Sequence, residues 1–109
     1  MAHSIETIRK RSTFIMIRKK GKFSNGKTFT LQFLEEQSLN NSIYVGFTAS
    51  KKIGTAIKRN KAKRILRELT RKVITKYGKI NSYYVLIART PIFEIPFHSQ
   101  EMELKKLIA

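Results

Sequence analysis

Three stretches of the chain carry the hydrophobic patterns of β-strands. Residues 28–33 alternate strictly between polar and apolar side chains, which predicts a strand with Leu31 and both phenylalanines on its core face. Residues 43–48 predict a second strand, joined to the first by a polar loop that suits a hairpin. The nearly continuous apolar run 83–88 is typical of a central strand that is covered on both faces.

Three other stretches carry helical patterns. Ser12 is predicted to cap a helix over residues 14–20, and Ser99 is predicted to cap a last helix over residues 99–109. A longer pattern covers about residues 55–77 and has one apolar stripe at spacings of three and four. The stripe consists of Ala62, Ile65, Leu66, Leu69 and Val73. The order helix, strand, strand, helix, strand, helix predicts a single α+β domain over residues 1–109, with helices covering a sheet.

The composition adds a large positive charge to this domain. The 109 residues include 23 Lys and Arg against 7 acids, a formal net charge of +16, and 41% hydrophobic residues that can supply a core. A folded domain with this charge favours a polyanionic partner, nucleic acid before an anionic membrane surface. The opening segment contains an acid, Glu6, and no long apolar run, so it does not resemble a secretory signal peptide. No apolar run in the chain approaches the ~20 residues of a bilayer span. We therefore expect a soluble cytoplasmic protein with no membrane partner.

The residue inventory excludes several kinds of catalytic site. The chain has no cysteine, which excludes disulfides, zinc ribbons, iron–sulfur clusters and thiolate nucleophiles. All 7 acids are glutamates, so the chain is poorly equipped to hold two Mg²⁺ ions for hydrolysis by itself. His3 and His98 are far apart in sequence, which favours two unrelated histidines over an acid–base pair of the metal-independent ribonuclease kind. We therefore predict no catalytic residues, and the sequence assigns no metal ligands.

The strongest functional signal is a basic run over residues 58–72. Eight of its fifteen residues are Lys or Arg, and the one acid, Glu68, is expected to pair with Lys72 or Arg64 four positions away. The half of the helix opposite the apolar stripe holds Asn60, Lys63, Arg64, Arg67 and Arg71. Repulsion among these cations is relieved when a phosphate backbone supplies the opposite charge. The run therefore favours nucleic-acid binding over a merely solvated face.

Two further segments are compatible with the same partner. Residues 49–56 place Lys51 and Lys52 between a strand and a helix start, which is equally consistent with an anion site and with an ordinary turn. Residues 9–27 mix aromatic and basic side chains, which suits single-stranded RNA, although burial in the core is the alternative for each ring. Phe14 lies among charges at a helix start, so we expect this ring nearest the surface.

Residues 45–68 resemble the signature of the bacterial ribonuclease P protein family. In that family a Ser-Lys-Lys-x-Gly turn precedes Arg-Asn-Arg-x-x-Lys-Arg or a close spacing variant. The turn is present as residues 50–54, and the residues that match the second motif are Arg59, Asn60, Lys63, Arg64 and Arg67. Lys61 stands where the family usually has Arg, which keeps the charge and loses planar bidentate bonding. The resemblance covers nearly the whole chain.

The resemblance implies a fold, an activity and partners. The fold is an α/β sandwich with a small mixed sheet, in which the basic helix makes a left-handed crossover between parallel neighbouring strands, against the general right-handed preference. The activity is that of a protein subunit of ribonuclease P, in which the RNA subunit and its Mg²⁺ ions remove the 5′ leader of precursor tRNA. The implied partners are ribonuclease P RNA and precursor tRNA, with no small-molecule substrate.

The resemblance also implies two RNA-binding surfaces on this chain. The surface for the catalytic RNA consists of Lys51, Lys52, Lys58, Arg59, Asn60, Lys61, Lys63, Arg64, Arg67 and Arg71. A cleft between the first helix and the sheet would hold the single-stranded leader and consists of Arg11, Phe14, Arg18, Thr28, Thr30 and Gln32. The family usually has a second aromatic residue near Arg18 and often a Tyr near Gln32, and this chain has neither.

Two other functions are alternatives to this reading. A structural RNA-binding protein, such as a ribosomal component on a similar fold, would share the positive charge. The Ser-Lys-Lys-x-Gly turn followed by Arg-Asn favours the ribonuclease P protein family instead. A protein-only nuclease is disfavoured because the chain has no aspartate and its 7 acids are all glutamates.

Overall fold

Five strands form one mixed sheet in the structure, a computed structural model that describes residues 4–108. The strands are β1 (Ile5–Thr7), β2 (Lys22–Asn25), β3 (Phe29–Glu35), β4 (Ile43–Thr48) and β5 (Ser82–Ala88), and their order across the sheet is β1-β4-β5-β3-β2. β4 runs parallel to β1 and β5, whereas β3 runs antiparallel to β5 and β2. β5 is therefore the central strand, as its continuous apolar run predicts.

Three helices cover the two faces of this sheet. α1 (Arg11–Lys20) packs on one face, and α2 (Ala56–Leu69) and α3 (Phe97–Ile108) pack on the other. α2 continues through a π-helical turn (Thr70–Ile74) into a last turn (Thr75–Tyr77). The helical segment therefore ends at Tyr77, as the pattern over residues 55–77 predicts. The predicted α+β fold class is confirmed. Within residues 4–108, every helix is too short or too polar to cross a bilayer.

α2 lies on the connection between two parallel neighbours, β4 and β5. This connection is the crossover that the family resemblance implies, and the left-handed sense of the crossover stays a prediction. The inner side of α2 packs on the sheet, so its outer side, which carries the basic run, points away from the sheet.

Two hydrophobic clusters hold the three layers together. In the larger cluster, Leu66 of α2 and Leu104 of α3 are fully buried against sheet residues such as Leu86. In the smaller cluster, Ile17 of α1 packs with Val85 on the opposite face of the sheet. Burying a side chain of this size stabilises the fold by roughly 1.5–3 kcal/mol relative to exposure. The apolar stripe predicted for α2 is thus confirmed as part of the core.

The connection from β3 to β4 is not the hairpin that the alternating pattern predicts. β5 lies between the two strands, so residues 36–42 carry the chain past the start of β5. Asn40 and Asn41 adopt left-handed φ values of 53° and 62° in this connection, which asparagine tolerates better than most residues. The Asn41 N–H donates to Oδ1 of Asn81 at 2.9 Å, which fixes the connection to the segment before β5. The hairpin prediction is wrong because alternation along one strand does not specify its neighbour.

The structure also corrects both predicted helix caps and adds two strands. α1 begins at Arg11 after Lys10, so Ser12 lies within its first turn. α3 begins directly after Pro96, whose fixed φ suits a helix start, so Ser99 is not its cap. The predicted last residue of α3, Ala109, lies outside the described residues. β1 and β2 are edge strands of 3 and 4 mostly exposed residues, too short to show a clear alternation.

Candidate nucleic-acid interface

α2 begins at a sharp turn that depends on one glycine. Lys51–Ile53 form a 3₁₀ turn, and Gly54 follows with a φ of 135°, a conformation that residues with a side chain rarely adopt. Thr55 then caps α2, because its hydroxyl accepts a hydrogen bond from the Lys58 N–H at 3.3 Å. The turn leaves its two lysines exposed beside the first turn of α2.

The outer side of α2 and the preceding turn form a continuous basic surface, which we call the α2 surface. Its members are the ten residues that the family resemblance assigns to the catalytic RNA, Lys51, Lys52, Lys58, Arg59, Asn60, Lys61, Lys63, Arg64, Arg67 and Arg71. Arg59 and Lys63 are half-buried, and the other eight are exposed. The structure therefore brings all ten residues together and leaves each of them accessible to a partner.

Two cations of the α2 surface lie near the faces of aromatic rings. The Lys61 ammonium lies 5.8 Å from the centre of the Phe93 ring, and the Arg67 guanidinium lies 5.8 Å from the centre of the Phe47 ring. A cation over an aromatic face at this distance is weakly attracted to the ring, by about 0.5–1 kcal/mol at exposed sites. These contacts favour side-chain directions that keep both charges close to the protein surface.

The single acid of the basic run over residues 58–72, Glu68, pairs with a different partner from the one expected. The Glu68 carboxylate forms an ion pair with the Arg71 guanidinium three residues later, and not with Lys72 or Arg64. The hydrogen bond from Arg71 lowers the pKa of Glu68 below its ordinary value, so the carboxylate stays ionised at a more acidic pH than a free glutamate does. Within the described residues, Arg64 and Arg67 have no acidic group at ion-pair distance. Their charge is therefore available to an external anion.

A second basic surface is a groove of about 250 Å³ between α1 and the sheet, which we call the α1 cleft. It is lined by Arg11, Phe14, Ile15 and Arg18 of α1 and by Gln32, Thr48, Val85 and Ile87 of the sheet. Arg11 and Arg18 are two helical turns apart and lie on either side of Phe14. The cleft therefore combines two cations, an aromatic ring and the Gln32 amide, which suits a phosphate chain with unpaired bases.

Two of the six residues predicted for this cleft do not line it. Thr28 is fully buried before the start of β3, and its hydroxyl has no hydrogen-bond partner among the described residues. Thr30 lies on the same sheet face as Gln32, but outside the lining, and its hydroxyl donates to Oδ1 of Asn25 at 3.0 Å. The remaining four predicted residues, Arg11, Phe14, Arg18 and Gln32, lie together in the cleft.

Sequence reasoning missed the part of the cleft floor that β4 and β5 supply. Thr48, Val85 and Ile87 belong to strands whose patterns indicate a core, so nothing in their residue types points to a binding surface. Only the pairing register of the strands places these residues in the cleft: Val85 lies beside Gln32, and Thr48 lies beside Ile87. Strand pairing of this kind is not visible in a single sequence.

The position of Phe14 depends on a glycine in the sheet below it. A Cβ atom at Gly46 would lie 2.5 Å from Cε1 and 2.7 Å from Cζ of Phe14. Phe14 is half-buried and packs against the smaller hydrophobic cluster, whereas Phe23 is exposed, so the expectation that Phe14 lies nearest the surface is wrong. One edge of the ring rests on the sheet, and the residue also lines the cleft.

Replacing Gly46 with alanine should lower the free energy of unfolding by about 1–3 kcal/mol, the usual cost of overpacking. The added methyl group displaces the Phe14 ring. Chemical denaturation of four proteins measures the effect: wild type, Gly46→Ala, Phe14→Leu and the double variant. In the Phe14→Leu background the same Gly46→Ala change should cost much less, because the ring tip is gone. Equal costs in the two backgrounds would contradict the contact.

The remaining candidate groups do not form a metal-binding cluster in the part of the chain that is described. Among residues 4–108, no three His, Cys, Asp or Glu side chains lie close enough together to hold a metal ion. His98 is exposed on α3, and His3 lies outside the described residues. Glu35 and Glu36 both have partners within the chain: Lys79 Nζ lies 3.0 Å from the Glu35 carboxylate, and the Glu36 carboxylate accepts a hydrogen bond from the Ser38 hydroxyl.

Comparison with known families and curated proteins gives a consistent result. Residues 3–109 match the family model described as Ribonuclease P. A ribonuclease P protein component from Caulobacter vibrioides is 42% identical over 84 residues, which cover 77% of this chain and 56% of the relative. One from Ruegeria pomeroyi is 39% identical over 85 residues, covering 78% and 68%. The chain thus spans a little over half the length of the Caulobacter relative.

Solved structures show the same fold. The ribonuclease P protein from Thermotoga maritima superposes with a TM-score of 0.79 at 29% identity, over 94% of this chain and 94% of that chain. The ribonuclease P protein from Staphylococcus aureus gives a TM-score of 0.76 at 27% identity, over 93% of this chain and 90% of that chain. The sheet and its three helices are therefore shared over almost the full length of these proteins.

Proposed function

This chain belongs to the ribonuclease P protein family, and on that premise we propose that it is the protein subunit that assists a catalytic RNA in removing the 5′ leader of precursor tRNA. The observation that carries the proposal is the presence of two basic surfaces on opposite sides of one sheet. The α2 surface points away from one face, and the α1 cleft opens on the other. A protein built in this way can contact two RNA segments at once.

In this proposal the α2 surface binds the catalytic RNA. Its arginines can form paired hydrogen bonds with phosphates, and Asn60 can contact a base edge. The ion pair between Glu68 and Arg71 leaves Arg64 and Arg67 as the exposed guanidinium groups in the middle of the surface. Phosphate contacts by these groups release condensed counterions, so assembly is driven electrostatically and weakens as salt increases.

The α1 cleft binds the single-stranded leader of the precursor tRNA in this proposal. Arg11 and Arg18 contact phosphates, Phe14 stacks on one base, and the Gln32 amide donates to or accepts from a neighbouring base. Single-stranded RNA fits this arrangement because its bases are not paired, whereas a duplex would keep its bases away from the ring. The leader is the part of the substrate that meets this requirement.

We assign the breaking of the phosphodiester bond to the RNA subunit and place Mg²⁺ mainly on that RNA. The residues described here do not fit a magnesium site within the protein itself, because the carboxylates are scattered and several already have partners. Glu68 binds Arg71, Glu35 binds Lys79, and Glu103 accepts a hydrogen bond from the Lys27 N–H at 3.0 Å. The protein's contribution is to hold the RNA and the leader in position.

A reconstitution assay tests the proposed function. Purified protein is added to ribonuclease P RNA and precursor tRNA at low Mg²⁺, with parallel reactions that lack either the protein or the RNA. We expect faster cleavage at the 5′ end of the mature tRNA, and only when the RNA is present. A structural RNA-binding protein would leave the rate unchanged, and a protein-only nuclease would cleave without the RNA. Either result would contradict the proposal.

A further inference from the structure

An exposed aromatic ring lies beside the α1 cleft, at the outer edge of the sheet. Phe23 is in β2 and pairs directly with Gln32 of β3, so the two side chains share one face of the sheet. The next residues in the same row are Val85 and Gly46. Gln32 and Val85 line the cleft, so the row Phe23–Gln32–Val85–Gly46 continues the cleft floor to the sheet edge.

Phe23 makes little contribution to the core. Its side chain is 61% exposed and belongs to neither hydrophobic cluster. Single exposed apolar residues are common on proteins, so exposure alone does not indicate a site. Phe23 is unlike a scattered exposed residue because the pairing of β2 with β3 places its side chain on the sheet face that also forms the α1 cleft. Its neighbour Lys22 points to the opposite face of the sheet, where it lines a separate groove.

The charges around Phe23 indicate what kind of partner can cover it. Residues 18–27 contain five Lys or Arg and no acid. An apolar peptide or a second copy of this +16 chain would have to overcome that charge, whereas an RNA strand neutralises it. A ring between cations matches the way in which single-stranded RNA is bound, with phosphates on Lys and Arg and bases stacked on aromatic faces.

The two rings stand at opposite ends of the row. Phe14 lies over Gly46 on β4, and Phe23 lies on β2. Three inter-strand spacings of about 4.8 Å separate these strands, roughly 14 Å in all. We propose that Phe23 is a second base-stacking platform, which extends the α1 cleft across β3 to the sheet edge and binds a further nucleotide of a single-stranded RNA. This inference rests on the proposed function for the identity of that RNA, the leader.

Tryptophan fluorescence tests the stacking directly, because the chain contains no tryptophan. Phe23→Trp places a single reporter at the platform, and Met102→Trp is the matched control, since Met102 is also about 60% exposed but lies on α3. Titration with oligoadenylate should quench the Phe23→Trp signal in a saturable way and leave the control signal nearly constant. Absence of quenching at position 23, or equal quenching in both variants, would overturn the inference whatever the chain's role in tRNA processing.

Binding by the reconstituted holoenzyme tests the role of the ring in substrate recognition. Phe23→Ala should weaken binding of leader-bearing precursor tRNA about fivefold or more, the loss expected for one stacked base, and leave binding of mature tRNA unchanged. Phe23→Tyr should retain the wild-type affinity, and Met102→Ala should have no effect. If Phe23→Ala binds the precursor as tightly as wild type while wild-type protein still accelerates cleavage, the inference fails and the proposed function stands. If wild-type protein does not accelerate cleavage, the proposed function fails.

Discussion

Alanine at both Arg64 and Arg67 should weaken assembly of the protein with the catalytic RNA at least about tenfold and leave the fold intact. Both side chains are exposed in the middle of the α2 surface, and neither has an acidic partner within the described residues. A bidentate arginine contact contributes roughly 1–3 kcal/mol to nucleic-acid binding. Binding titrations over a range of salt concentrations measure the effect, and the slope of log affinity against log salt should fall by up to about two.

The matched control for this variant removes the same charge from another helix. Lys105 and Lys106 are exposed on α3, so their double replacement with alanine also lowers the net charge by two. This control should keep most of the affinity, because the loss depends on where the charge lies. If both double variants lose affinity equally, binding depends only on net charge, and the assignment of the α2 surface is wrong. Loss of cooperative unfolding in the arginine variant would contradict the placement of both residues on the outer side of α2.

Leu66→Ala should lower the free energy of unfolding by about 2–5 kcal/mol. Leu66 is fully buried in the larger cluster, where the helix packs on the sheet, so truncation removes apolar contacts and leaves a cavity. Urea denaturation followed by circular dichroism gives the value. For a domain of this size the loss is a large share of the total stability, so assembly with the RNA should also become sensitive to temperature.

Ile57→Ala is the control for this prediction, since it truncates a residue of similar size on the same helix. Ile57 is 82% exposed, so its replacement should change the stability by no more than about 0.5 kcal/mol. A large loss at Ile57, or a small one at Leu66, would show that the buried side of α2 has been assigned incorrectly.

The helical part of the fold follows from the sequence, whereas the order of the strands does not. The stripe that includes Leu66 and Leu69 repeats every 3.6 residues over about three turns, so its spacing predicts both the helix and the side of the helix that is buried. β5 is also recognisable, because a strand buried on both faces is apolar throughout. The neighbours of β3 could not be predicted in this way. On one side β3 pairs with Tyr84 and the rest of β5, which lie far away in the sequence. On the other side it pairs with Phe23 and the rest of β2, an edge strand too short to show a pattern.

The two candidate surfaces also differ in how far the sequence alone predicts them. Most of the α2 surface lies on α2 and its helical continuation, so the spacing of Arg64, Arg67 and Arg71 is sufficient to place these residues on one side. The α1 cleft is made from three strands and a helix, and its residues come together only after the sheet has formed. The family resemblance gives four of its lining residues and also names Thr28, which the structure buries completely. The role of Phe23 appears only in the register of two neighbouring strands.

The central place of β5 has a consequence for how the protein is made. β3 and β4 are hydrogen-bonded to β5 and not to each other, yet β5 leaves the ribosome only after both of them and the whole of α2. Until then the nascent chain has two apolar strands with unsatisfied edges and a strongly cationic helix in an environment rich in ribosomal RNA. Sheet closure is therefore a late event that needs contacts between distant parts of the chain. The sheet can therefore be completed only after β5 has been translated.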